Sequence, residues 1–115
     1  MQVLSTRFTN AHGLDLLDIM SGQQINIVVT FKNYQQVEQN YALIIQVEDS
    51  NGIVTHIDWV EGKLAYGQTT QHTRQWITPT EQGLYRIKIF IWDGIFIIAP
   101  TPLSERTVEN IHVSE

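Results

Sequence analysis

The chain has 115 residues, 43% of them hydrophobic and 17% charged, with a net charge of −5 and no cysteine. That length holds one domain around one core, and the composition is globular rather than disordered. The missing cysteines exclude a disulfide scaffold, a thiol nucleophile and a thiolate metal site. Singly scattered Lys and Arg residues under a negative net charge argue against nucleic acid as a partner.

No stretch approaches the roughly 18–20 apolar residues that cross a bilayer as a helix, so no membrane insertion by this segment is expected. Met1-Gln2-Val3-Leu4-Ser5 runs into polar sequence without a signal-peptide pattern. Residues 14–20 hold one helical turn at most, and helical periodicity is sustained nowhere. From Gln24 to Phe31 the residues Ile25, Ile27, Val29 and Phe31 point one way and Gln24, Asn26 and Thr30 the other, which predicts a half-buried strand. Tyr41 to Glu48 alternates similarly through Leu43, Ile45 and Val47, while Ala42 and Ile44 on its other face point to partial cover there as well. Asp49-Ser50-Asn51-Gly52 supplies turn chemistry, and Ile53 to Trp59 completes a hairpin. Glu61-Gly62-Lys63 and Tyr66-Gly67-Gln68 punctuate the loop that follows.

Gln68 to Gln75 is polar on both faces and belongs at a sheet edge, with Trp76 and Ile77 returning to the core. Leu84 to Trp92 is the strongest strand, with Tyr85, Ile87, Ile89 and Ile91 on one face. Asp93 to Glu105 is a long segment in which Pro100 and Pro102 block regular ladder pairing. Thr107 to Val113 forms the last strand. Seven to eight short strands in a single domain over residues 1–115 predict an all-β, immunoglobulin-like Greek-key β-sandwich. In Gly83-Leu84-Tyr85 the tyrosine opens a late core strand after a loop glycine. It is either a tyrosine corner, bonding back across the turn, or an ordinary core aromatic.

The succession Phe31-Lys32-Asn33, Tyr41–Val47, Asp49-Ser50-Asn51-Gly52, Trp59, Trp76, Gly83-Leu84-Tyr85, Phe90-Ile91-Trp92 and Pro102-Leu103-Ser104 resembles the CARDB-type immunoglobulin-like modules of archaeal cell-surface and secreted proteins. The resemblance covers residues 22–113. It implies a non-catalytic extracellular module that serves as spacer, adhesion or assembly domain, with no catalytic residues and no cofactor. The chain departs from that pattern at Ile95-Phe96-Ile97-Ile98, a loop longer and more apolar than such modules show.

Those four residues follow the turn pair Asp93-Gly94 without alternation. Either they fill an open end of the sandwich, or Ile95, Phe96, Ile97 and Ile98 form an interface for a protein partner, a neighbouring domain or a second copy. An alternative is a small proteinase inhibitor acting through residues 93–105, which would place the protein in the cytoplasm. A carbohydrate-binding module would instead use Trp59 or Trp92 as stacking platforms. His56 and His72 with Asp58 would be a zinc set if their strands met, and Glu48, Asp49 and Glu61 a calcium set if they converged. Solvated faces and a plain hairpin turn are the simpler account, so no metal is expected. No nucleophile elbow, phosphate loop or facing carboxylate pair points to an enzyme.

Overall fold

The alternation of branched apolar and polar residues gives each central strand one dry face and one wetter one. The computed structural model describes residues 1–94 and 101–114. Its eight strands are β1 (Gln2–Thr9), β2 (Ile19–Met20), β3 (Gln24–Lys32), β4 (Gln39–Glu48), β5 (Val54–Leu64), β6 (Thr69–Ile77), β7 (Gly83–Trp92) and β8 (Thr107–Ser114). One sheet has the order β1-β3-β6 and the other β2-β8-β7-β4-β5. The neighbours pair antiparallel except β2 with β8, which run parallel. This is an all-β sandwich of immunoglobulin type.

Ile25, Ile27, Val29 and Phe31 of β3 face Leu43, Ile45 and Val47 of β4 and Ile87, Ile89 and Ile91 of β7. Each of these ten side chains is at most 1% exposed. Tyr85 is a tyrosine corner: it is 3% exposed, and its hydroxyl donates to the Glu81 carbonyl at 2.8 Å. Ile87, two residues on, occupies the place where antibody domains carry the second cysteine of their inter-sheet disulfide. Packing replaces the crosslink.

Several expectations change. Residues 14–20 hold no helix; Asp15 bridges to Thr9, and the Leu16 amide donates to the Phe8 carbonyl at 2.9 Å. Ile77 is 67% exposed, because the alternation that buries Trp76 at 3% turns its successor outward. Glu61-Gly62-Lys63 lies inside β5 rather than in a loop. Pro102 makes one isolated bridge, to Trp92. Asp93 and Thr101 bond to each other, the Asp93 amide on the Thr101 carbonyl at 3.0 Å and the Thr101 amide on Asp93 Oδ1 at 2.8 Å. The residues expected as an interface, Ile95, Phe96, Ile97 and Ile98, lie outside the described residues.

β5 and β6 are the edge strands on one side of the sandwich, and side chains join them across the gap. The Tyr41 ring lies over Gly62, where any Cβ would overlap it, and its hydroxyl meets His72 Nε2 at 2.6 Å. Further along, Arg74 grips Asp58 through Nε at 2.6 Å and Nη2 at 2.9 Å. Burial, with Arg74 close by, holds the His72 imidazole below its ordinary 6.5. The Arg74 hydrogen bonds outweigh burial at Asp58 and hold that carboxyl below 3.8.

Candidate functional site

Strand register places the second, more polar-looking faces of β4, β5 and β7 together on the outside of the five-stranded sheet. Ile44 stands opposite Trp59 on one side and opposite Phe90 on the other, so these three form a row across the strands. Ala42 stands between Glu61 and Trp92 in the next row. Phe90 and Trp92 meet edge to face, with ring centroids 6.2 Å apart at 66°. Trp59 is 46% and Ile57 54% exposed, while Ile44, Phe90 and Trp92 are half-buried.

The row toward the other end is polar at its centre. Gln46 lies between Ile57 and Lys88, and Lys88 lies opposite Val108. Lys88 Nζ donates to Glu48 Oε1 at 2.7 Å, with side-chain exposures of 18% and 12%. An ion pair this sheltered holds its geometry better than one between freely solvated side chains. The result is an open surface with aromatic rings at one end and a fixed polar group at the other.

The outside of the three-stranded sheet is different in kind. Asn26, Thr30, Gln71, Thr73 and Gln75 lie there, with Gln71 Nε2 donating to Thr30 Oγ1 at 3.3 Å. An open cleft of about 550 Å³ between Met1–Val3 and Ser104–Thr107 shares no residue with the aromatic row.

The other sequence candidates do not assemble. Asp49 Oδ1 accepts the amides of Asn51 at 2.9 Å and Ile53 at 3.0 Å, so its carboxylate holds the β4–β5 turn. Glu61 pairs opposite Ala42, six residues along β4 from Glu48, a separation of about 20 Å at strand rise. Of the zinc candidates, Asp58 is held by Arg74 and His72 by Tyr41. Among the described residues no three of His, Asp and Glu come together as ligands. Trp59 and Trp92 do share a face. Ile44 and Phe90, which join them, fall on the second faces of their strands in the sequence but carry no binding expectation there; their signal was a bulky residue on the second face of a strand already apolar on its first.

No protein-family model matches the chain, and no curated protein is similar to it in sequence. Among solved structures, it superposes on the C-terminal domain of wzt with a TM-score of 0.80 at 15% identity, over 99% of this chain and 73% of that one. That match settles the fold. The chain also resembles part of a β-glucuronidase from glycoside hydrolase family 2, with TM-score 0.66 and 16% identity over 82% of this chain and 10% of the enzyme. Part of red sea bream transglutaminase superposes with TM-score 0.60 and 13% identity over all of this chain and 17% of that one. The chain spans a small fraction of both enzymes, and at these identities the likeness is one of fold alone. Of the likeness to CARDB-type modules, these comparisons support the immunoglobulin-like sandwich; they identify no family.

Proposed function

We propose that this chain is a non-catalytic binding module of a longer protein, and that the outer face of its five-stranded sheet holds a carbohydrate chain. The observation behind this reading is the row Trp59–Ile44–Phe90 with Trp92 beside it. Neighbouring strands are about 4.8 Å apart, so Trp59 and Phe90 stand about 10 Å apart. That is about the span of two linked pyranose rings. A pyranose presents an apolar C–H face, which an aromatic ring covers, and a rim of hydroxyls that needs hydrogen-bond partners. Gln46 and Lys88 stand two residues along their strands from that row, on the same face, with Glu48 holding Lys88 in place. The open surface suits an internal stretch of a polymer better than a free small molecule, which favours an enclosed pocket.

Trp59→Ala tests the reading directly. The side chain is nearly half exposed, so the variant keeps its fold. Binding on a glycan array followed by titration of the best ligand weakens at least about tenfold, or ~1.4 kcal/mol. Absence of glycan binding by the native chain, or binding indifferent to Trp59, overturns it.

The second reading is the protein–protein module: spacer, adhesion or assembly domain. It is favoured by the consecutive apolar residues Ile95, Phe96, Ile97 and Ile98, which follow soon after Trp92 in sequence, and by Ile57 exposed beside Trp59. The resemblance to CARDB-type modules favours a parent protein at the cell surface or among secreted proteins, with a cytoplasmic protein as the alternative. Protease shaving of intact cells, followed with an antibody to this domain, tests that placement: a protected antigen contradicts it.

A further inference from the structure

A β-sandwich with open edges is exposed to strand pairing with another copy of itself, and among the described residues four strands lie at sheet edges. β2 is two residues long and offers little ladder. β1 is broken by an irregularity between Val3 and Ser5, which bends an edge away from a flat partner. β5, with 11 residues, and β6, with 9, are long and contain no proline.

What sets these two apart is the pair of charges they point into the sandwich. Asp58 of β5 and Arg74 of β6 meet across the seam with side chains 23% and 36% exposed, so the open side of the seam wets them. A strand added to either edge would roof that seam and strip the water from both charges. Removing charges from water costs more than a surface ion pair returns. The Tyr41–His72 contact closes the same seam nearer the other end of β6, reached over Gly62.

We infer that the Asp58–Arg74 pair guards the β5 and β6 edges, keeping them from pairing with a second copy of this chain. The inward charges discourage the added strand, and the latch they form with each other holds the two sheets together where no backbone ladder joins them.

The test removes the charges while filling the seam: Asp58→Leu with Arg74→Leu in the 115-residue chain. Replacing such a pair by apolar side chains of similar volume commonly leaves a fold intact or more stable. The double variant is expected to keep the native circular dichroism and to self-associate at least ~100-fold more tightly by analytical ultracentrifugation. Its new amide protection from hydrogen exchange falls on β5 or β6. The reversed pair, Asp58→Arg with Arg74→Asp, stays monomeric. If the leucine variant fails to fold, Asp58→Asn with Arg74→Gln removes the charge without the apolar gain, and the same association is expected of it. A neutral variant that folds and remains monomeric overturns the inference. So does association through another edge, or a native chain that is already a dimer through β5 or β6.

Discussion

Tyr85 shows how much one hydroxyl decides. The ring packs against Trp76, centroids 6.4 Å apart, and the hydroxyl reaches back four residues to the Glu81 carbonyl. Burial also pushes the phenol above its ordinary 10.0, with the Glu81 and Asp49 charges acting in the same direction, so it stays a donor. Tyr85→Phe keeps the ring and orphans the carbonyl, and should cost about 1–2 kcal/mol in chemical denaturation. A cost below a few tenths would mean that water replaces the hydroxyl. Tyr85 could be singled out in the sequence because its signal is local: a glycine, a strand start and an aromatic. Its partner could not, since the hydrogen bond depends on how the loop 78–82 turns.

At the scale of elements, β5 carries a prediction of opposite sign to the usual rule. Glycine inside a strand normally weakens it, and alanine there helps by roughly 0.5–1 kcal/mol. Here Tyr41 stands directly opposite Gly62 and lies over it to reach His72. Gly62→Ala should therefore destabilise by about 1–3 kcal/mol, as overpacking does, which a shift in the denaturation midpoint would show. An unchanged or raised midpoint would mean that Tyr41 moves aside without loss.

β5 also marks where sequence reasoning stopped. Gly62 suggested a loop, because composition alone cannot distinguish a glycine that turns the chain from one that makes room for a neighbour. β1 went unread for a related reason. The irregularity between Val3 and Ser5 resets the alternation, so Val3, Thr6 and Phe8 turn inward at uneven spacing and period two disappears. β3, β4 and β7 were legible because an apolar residue recurs at every second position over seven residues in each, which marks one face for burial. The aromatic row was half legible. Trp59 and Trp92 were visible as candidates, but the register that aligns them through Ile44 and Phe90 is a property of pairing.

Across the whole molecule, the two outer faces differ and the seam between edges responds to pH. His72 binds a proton less readily folded than unfolded, so its contribution to stability is intact above 6.5 and declines as pH falls through 6.5 toward its lower folded value. Asp58 is depressed in the folded state, so its contribution is present above 3.8 and is lost as pH falls below that toward its folded value. Stability from urea denaturation should fall in two steps on acidification, and His72→Gln should remove the first while leaving the second. A single step near pH 4 in the native protein would show that His72 titrates as it does unfolded.

The short parallel ladder of β2 on β8 is easily passed over: Ile19 beside Val113, Met20 beside Ser114, and the Ser21 amide on the Ser114 carbonyl at 2.7 Å. β2 is reached from the amino-terminal side of the chain and β8 leads to its carboxyl-terminal side. Once β1 has come away from β3, tension on the two ends drags these strands past one another along their length. Their hydrogen bonds then bear the load together instead of opening one at a time, as they would in a hairpin peeled from its end. Under force, the smallest strand in the fold becomes a clasp.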